Sequence, residues 1–177
     1  MYLVGPQEGP SGLVRYDIST GARYARQAPT SAWTYPPCSD LWMAEDGLRI
    51  FTQCGNVFSS SATASADMLW LGKLPVASLI RHLDHSHAAA IAALINDTPV
   101  RADPNGDTRV DLYGESSLSM VGSIPLPNFA TAYGSVPARG HFVFFDAAGS
   151  RLYVIVRATG GSGLLSDFGL VSFDVPN

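Results

Sequence analysis

The sequence predicts an all-β fold made of short antiparallel strands, and three observations lead to that prediction. Seventeen glycines and twelve prolines interrupt the chain at short intervals, which favours many short strands over a few long helices. Apolar runs alternate with acidic turns that contain glycine. The same order of run, turn and run also recurs at a period near fifty residues, as in arrays of one repeated supersecondary unit.

The first mark of the repeat is a hairpin pattern. An apolar run, an acidic turn with glycine, an arginine and a second apolar run occur in residues 41–51, in IND (95–97) followed later by 103–112, and in residues 142–156. The repeated arginines are Arg49, Arg109 and Arg151. Glycine accepts a positive φ, and Asp or Asn bonds back to nearby backbone groups. Each of the three segments is therefore predicted to form a β-hairpin.

The second mark is a proline that follows an apolar residue after each hairpin. Pro75, Pro127 and Pro176 are 52 and 49 residues apart. Near the start, Ser19 takes the place of the proline, and GLVRYDI (12–18) matches GLVSFDV (169–175). The opening of the chain is therefore predicted to copy its end.

The segment FDAAGSRLYVIV (145–156) resembles the blades of YVTN-repeat and WD-repeat β-propellers. In those blades an apolar strand, an Asp-Gly turn and an Arg-Leu-Tyr-Val strand follow one another. The resemblance covers nearly the whole chain. It implies four-stranded antiparallel blades in a radial array, and it implies no particular activity.

This pattern predicts a single propeller segment, an incomplete ring or arc, with a partial blade at 1–32, blades at 33–86 and 87–137, and a partial blade at 138–177. Such an arc leaves edge strands with unpaired backbone groups. We therefore expect the remaining blades, or a second copy of the chain, to cover them as partners.

Residues 76–95 leave two alternatives open. Leu79, Ile80 and Leu83 fall at helical spacing, and the alanines of 88–93 add helix propensity. The repeat instead predicts an outer strand, a loop at LDHSH (83–87) and an inner strand. We prefer the strands, because tertiary context often overrides local propensity.

Cys38 and Cys54 flank the first complete hairpin. With a turn centred on Asp46 they lie opposite each other, as do Trp42 and Ile50. Opposed residues on antiparallel strands are close to disulfide reach, so a disulfide is predicted, with two buried free thiols as the alternative. A disulfide indicates an oxidising compartment, so the protein is expected to be secreted, periplasmic or at the cell surface.

The densest group of reactive side chains is RHLDHSH, with His82, Asp84, His85 and His87 as candidate binding residues. A metal could be held by His85 with His87 on a strand, or by His82 with His85 on a helical turn. Asp84, His85 and Ser86 are adjacent in sequence, so they do not make a nucleophilic triad. The preferred interpretation is a polar loop in which a histidine caps backbone groups, which resembles the histidine at the start of WD-repeat blades. No metal site and no cofactor are predicted.

Other patterns carry weaker signals. DPNGD (103–107) begins like a calcium loop but lacks its later glutamate, and GGSG (160–163) lacks the Lys-Ser or Lys-Thr of a phosphate loop. Glu45 and Asp46 are better explained by turn chemistry than by acid-base catalysis. Trp33 and Tyr35 lie in a proline-rich stretch and are candidates for a sugar-stacking platform.

Composition narrows the function further. The net charge of −4, with eleven basic residues spread singly, excludes a basic stripe for nucleic acid, and no apolar run approaches the length of a membrane span. The expected function is a non-catalytic binding or scaffold propeller of an exported or cell-surface protein, with a protein or glycan ligand. One alternative is part of an enzyme similar to propeller lactonases or quinone-dependent dehydrogenases, with Asp40, His85 and His141 facing the axis. The other alternative is a carbohydrate-binding propeller.

Overall fold

The computed structural model describes residues 1–4, 12–19, 24–27, 34–97, 106–131, 134–158 and 166–176. Within these ranges the chain forms fifteen β-strands, and the helical segments among them are two single 3-10 turns, Ala64–Ala66 and Gly106–Thr108. The strands are β1 (Tyr2–Val4), β2 (Leu13–Asp17), β3 (Tyr24–Gln27), β4 (Leu41–Met43), β5 (Arg49–Thr52), β6 (Asn56–Ser59), β7 (Trp70–Lys73), β8 (Ile80–Ser86), β9 (Ile91–Asn96), β10 (Arg109–Gly114), β11 (Met120–Pro125), β12 (Asn128–Thr131), β13 (Gly134–Phe145), β14 (Arg151–Ala158) and β15 (Phe168–Asp174). The predicted all-β fold class is confirmed.

The strands form four antiparallel sheets in which each strand pairs with its neighbour in sequence. The first sheet has three strands, β1–β3, and the second (β4–β7), third (β8–β11) and fourth (β12–β15) sheets have four each. This up-and-down order is the strand order of propeller blades. The prediction of four-stranded antiparallel blades is therefore confirmed.

The chain divides into two compact units, Met1–Leu74 and Pro75–Asn177. In the first unit, Leu13, Ile50, Phe58 and Met68 form a fully buried core. In the second unit, the core combines residues of the third and fourth sheets, among them Ile95, Leu112 and Val154. These two sheets pack closely at Gly140, where an added Cβ would lie 2.8 Å from Ile95 Cδ1.

Two of the repeated hairpin turns have the same backbone geometry. In one, Ala44 N–H donates to Arg49 O and Gly47 N–H donates to Ala44 O; in the other, Asp146 and Gly149 donate in the same way to Arg151 O and Asp146 O. The two glycines have φ values of +71° and +67°, in the left-handed region that glycine enters without strain. The hairpin predictions for these two segments are confirmed.

The three prolines also mark one structural position. Each follows the fourth strand of a sheet, and the residue before it donates its backbone N–H to the carbonyl that precedes the third strand. The donor and acceptor pairs are Leu74 with Gly55, Leu126 with Thr108 and Val175 with Ser150. Proline has no N–H to continue the ladder, so each sheet ends there.

The hairpin pattern does not mark one position. The turn before Arg49 joins the first and second strands of its sheet, whereas Arg109 and Arg151 begin third strands. Asp and glycine specify a tight turn wherever it falls, so turn chemistry alone cannot identify which hairpin of a sheet it closes.

The alternatives for residues 76–95 resolve in favour of strands, but the predicted loop is wrong. LDHSH lies almost entirely within β8, and the reversal to β9 occurs at residues 87–90. Because β8 pairs directly with β9, both strands belong to the third sheet. The connections between sheets therefore lie at residues 74–79 and 126–127. The repeat had predicted blade boundaries after residues 86 and 137. Backbone pairing with β9 along Ile80–Ser86 holds β8 in the sheet despite its helical spacing.

The predicted disulfide is present: Cys38 and Cys54 are bonded, with Cα atoms 5.8 Å apart. The predicted register was wrong by one residue, because Trp42 pairs with Phe51, and Ile50 pairs with Met43. Four residues, 45–48, form the turn, so its centre falls after Asp46 and not on it. Cys38 reaches Cys54 from a backbone with φ of +55°.

Candidate functional site

His82 and Asp84 bind the backbone of the neighbouring sheet. His82 Nδ1 accepts the Val143 N–H at 3.3 Å, and Asp84 Oδ2 accepts the Phe145 N–H at 2.7 Å. On this edge of β13, the described residues of β12 pair with Gly134 to Pro137 and no further. The two side chains of β8 therefore take the place of a partner strand along the far half of β13.

His82 lies in an apolar setting on this edge. Its ring meets Phe142 and Phe144 edge-on at centroid distances of 5.2 and 5.1 Å. Burial lowers the pKa of His82, an effect that the nearby Asp84 carboxylate partly opposes. The neutral imidazole is the form that accepts a hydrogen bond at Nδ1. Burial and the hydrogen bond from Val143 therefore both favour the neutral ring.

His85 and His87 point toward Glu115. His85 Nε2 lies 3.9 Å from Glu115 Oε2, and His87 Nδ1 lies 3.6 Å from the same oxygen. Glu115 follows β10, and its N–H donates to Ala90 O at 2.8 Å, which fixes it beside the turn between β8 and β9. The RHLDHSH group is thus divided between an inter-sheet contact and a histidine–glutamate cluster.

A cleft of 770 Å³ opens between the third and fourth sheets of the Pro75–Asn177 unit. Small residues make up much of its wall, and Arg151 and Asp174 supply its charges. The lining comprises Ala88, Ala89, Ala90, Ile91, Leu112, Gly114, Val121, Gly122, Ala148, Gly149, Ser150, Arg151, Asp174, Val175 and Pro176. Arg151 Nε lies 3.3 Å from Asp174 Oδ1, and both side chains are exposed.

A buried carboxylate that the sequence did not single out as a structural residue joins the same two sheets. Asp107, almost fully buried, pairs with Arg139 of β13 and lies 4.0 Å from Arg81 of β8. A calcium ion at DPNGD would compete with these two guanidinium groups for the Asp107 carboxylate. Asp103 and Asn105 of that motif, like the GGSG segment, lie outside the described residues.

The sugar-platform candidates fall only partly within the described structure. Trp33 lies outside the described residues. Tyr35 stacks on Trp70 with ring centroids 3.8 Å apart and planes 6° from parallel, and both rings pack against the first unit's core. One face of Tyr35 is therefore covered by Trp70.

The remaining candidates occupy separate surroundings. His141 packs edge-on against Phe168, with ring centroids 5.7 Å apart. Burial, with Arg81 and Arg157 nearby, lowers the pKa of His141. Asp40 belongs to the other unit. Asp46 Oδ1 accepts the Leu48 N–H at 2.9 Å, which is the turn chemistry predicted for this acidic pair.

Neither a protein-family model nor a curated protein sequence matches the chain. Among solved structures, the chain is similar to Kuenenia stuttgartiensis hydrazine synthase, with a TM-score of 0.54 and 11% sequence identity. The match covers 92% of this chain and 44% of that one, so this chain spans less than half of its length. Likeness at this identity shows the fold alone.

Across the described ranges, no helix has the length and apolar character needed to span a bilayer.

Proposed function

We propose that the chain is a non-catalytic binding segment of a β-propeller, carried by an exported or cell-surface protein. The cleft between the third and fourth sheets is the observation that carries this proposal. Its volume of 770 Å³ is in the usual range for ligand sites. Alanine, glycine and aliphatic residues dominate its walls, while its charged groups are one arginine and one aspartate.

The composition of the cleft favours binding over catalysis. General acid-base or nucleophilic chemistry needs a base within hydrogen-bond reach of a nucleophile or of the reacting proton. Arg151 and Asp174 face each other in an exposed ion pair, which suits recognition of a polar end group. Small side chains leave backbone amides and carbonyls accessible, as a bound peptide segment requires.

Two polar residues of β8, His82 and Asp84, also favour a scaffold role for this segment. His82 and Asp84 hold the edge of β13, and Asp107 with Arg139 joins the same two sheets. These contacts fix both walls of the cleft relative to each other, and a pre-formed site binds with less loss of conformational entropy. Export is supported by the disulfide, because such bonds persist in oxidising compartments.

The proposal is tested by selecting peptides from a phage-displayed random library on the wild-type chain. Gly122 lines the cleft, and the nearest atom to its added Cβ is Leu112 Cδ1 at 3.8 Å, so Gly122→Trp is expected to fill the cleft without displacing backbone. Selected peptides should lose at least tenfold in affinity for this variant. Met120→Trp, on the same strand outside the cleft lining, is the matched control and should bind normally.

Failure to enrich any peptide, or equal binding to both tryptophan variants, contradicts a peptide-binding cleft. Gly122→Val serves as a second, smaller filling variant if Gly122→Trp does not fold. A glycan array addresses the carbohydrate alternative separately: binding that Trp33→Ala abolishes would move the function to the sugar platform.

A further inference from the structure

The last strand, β15, uses alternate residues to bond to β14. Just after the strand, Val175 N–H donates to Ser150 O, and just before it, Asp167 O accepts the Ala158 N–H. The register between the two strands runs from end to end without a bulge. Residues of an antiparallel pair alternate between hydrogen-bonded and non-hydrogen-bonded positions. The odd-numbered residues of β15 therefore bond to β14, and the even-numbered residues do not.

The even-numbered residues leave backbone groups at a free edge. The N–H and C=O groups of Leu170, Ser172 and Asp174 point away from β14, and within the described ranges no other strand pairs with β15. The side chains of Leu170 and Asp174 are exposed, so solvent reaches this edge. An edge of this kind is a template for another strand, which would satisfy the groups at all three residues.

The two faces of β15 differ, and this difference determines which side chains suit an added strand. Val171, Phe173 and Val175 are half-buried against the core of the Pro75–Asn177 unit, and Ile124 of β11 packs against the same core. The residues between them are exposed. Directly opposed residues of antiparallel strands lie on the same face of the sheet. A strand beside β15 would therefore place apolar side chains next to Val171 and Phe173.

The cleft lies at one end of this edge. Asp174 and Val175, where β15 ends, line it together with Val121 and Gly122 of β11. A single extended chain can therefore run along the edge of β15 and continue into the cleft. A second folded copy of the protein would bring a whole sheet to the edge and leave the cleft unfilled. In the absence of a ligand the edge is open to such a copy, and the two occupants compete.

We propose that a peptide segment of a partner protein binds as an added antiparallel strand along β15 and continues into the cleft. This inference rests on the proposed peptide-binding function and specifies how the peptide is held. Its backbone bonds to Leu170, Ser172 and Asp174, and its apolar side chains, at every second residue, lie beside Val171 and Phe173. The antiparallel direction is that of all paired strands in the third and fourth sheets. In strand addition the main-chain bonds give affinity and the alternate side chains give specificity.

The first test uses the tightest peptide selected from the phage-displayed library, synthesised with one N-methyl group at a time and titrated into the full wild-type chain. In an added strand, the N–H groups of alternate peptide residues point toward β15. N-methylation should therefore weaken binding at least tenfold at every second residue. Alanine substitution should weaken binding at the intervening residues, which carry the apolar side chains. The two scans of the same peptide should be out of phase, and each position is the matched control for the next.

The second test removes one N–H from the protein. The Ser172 N–H points away from β14, so Ser172→Pro leaves the pairing with β14 intact, and edge strands accept proline at such positions. This variant should bind the selected peptide at least tenfold more weakly, while its circular dichroism spectrum stays that of the wild type. If Ser172→Pro does not fold, the two peptide scans on the wild type decide alone.

The outcomes separate this inference from the function on which it rests. Peptides that bind the cleft but show equal losses at all N-methylated positions, or scans that are in phase, overturn strand addition and leave the peptide-binding cleft standing. Unchanged binding to a folded Ser172→Pro also overturns it. If the library yields no peptide, the inference and the proposed function fail together.

Discussion

Buried carboxylates join neighbouring sheets in both units of this protein. In Met1–Leu74, the fully buried Asp67 accepts the Tyr2 hydroxyl at 2.7 Å and pairs with Arg15 at 3.0 Å. In Pro75–Asn177, the buried Asp107 pairs with Arg139 of β13. A buried carboxylate that lost these donors would be strongly destabilising, so each one favours a single alignment of the two sheets it joins.

Asp84→Ala is expected to destabilise the protein by about 1–3 kcal/mol, because the Phe145 N–H loses its acceptor. Asp84→Asn keeps an acceptor oxygen and should cost less. Chemical denaturation of the three proteins measures the difference. Asp174→Ala is the control, since an exposed ion pair contributes about 0–1 kcal/mol. Equal effects of Asp84→Ala and Asp174→Ala would show that the Phe145 contact contributes little.

His82 is expected to make stability fall as the solution becomes acidic. Its pKa is lowered in the folded state, chiefly by burial, so in acid the unfolded chain binds the proton first. Stability is therefore complete above the ordinary histidine pKa of about 6.5 and declines as the pH falls below it. The lowered pKa of His141 acts in the same direction.

His82→Asn separates the two histidines, because an asparagine oxygen can accept the Val143 N–H without titrating. The fall in Tm between pH 8 and pH 5 should be smaller in this variant than in the wild type. An identical fall in both proteins would place the acid sensitivity elsewhere.

Residue types were predictable here, but their partners were not. Sequence reasoning expected a histidine that caps backbone groups, and His82 does so. It could not identify Val143, which lies 61 residues away, because nothing local encodes a contact between sheets. Glu115 was missed for the same reason: its position beside His85 and His87 depends on how β10 pairs with β9.

The two equivalent hairpin turns offer a matched comparison at the level of the element. Gly47 and Gly149 both have positive φ, so alanine at either position carries the left-handed penalty of about 1–2 kcal/mol. An added Cβ at Gly47 meets nothing within 4 Å, whereas at Gly149 it lies 2.4 Å from Ser86 Oγ and 3.0 Å from Ala89 N. Gly149→Ala should therefore be the more destabilising substitution.

Thermal unfolding followed by circular dichroism tests this difference, with Gly149→Ala also compared in a Ser86→Ala background. Removing the Ser86 hydroxyl should recover part of the loss at position 149 and none at position 47. Equal losses at both glycines would mean that the fourth-sheet turn does not press against the β8–β9 turn.

Elements were predictable where local chemistry determines them. Glycine and aspartate marked the turns at 44–49 and 146–151 correctly, and proline marked the ends of three sheets. The disulfide followed from the first of these hairpins. The strand register at Trp42 was wrong by one residue, because a four-residue turn has no central residue. The loop placed at LDHSH was also wrong, since three consecutive alanines (88–90) gave no turn signal, although Ala90 has φ of +53°.

At the level of the whole molecule, the last strand of the fourth sheet presents apolar side chains at a sheet edge. Within the described structure β15 pairs with β14 alone, and Phe168 and Leu170 are 51% and 66% exposed. Such an edge is a template for strand pairing. We propose that remaining blades of the protein, or a second copy of this chain, cover it.

Light scattering on the isolated chain tests that proposal. The wild type is expected to associate as concentration rises, and Leu170→Lys should reduce association, because a charged side chain on an edge strand opposes pairing. Met43→Lys, at an exposed site in the other unit, should not change it. A monomeric wild type at every concentration would contradict an edge that requires a partner.

The contact of β8 with β13 also affects the order in which parts of the protein fold during synthesis. Each sheet is built from strands adjacent in sequence, so the third sheet can pair soon after its own residues leave the ribosome. His82 and Asp84 can bind their partners only after a further 61 residues have been synthesised. During synthesis, therefore, the nascent chain carries a folded sheet whose edge contacts are still unmade, and that interval is when a chaperone or a wrong strand has access to it.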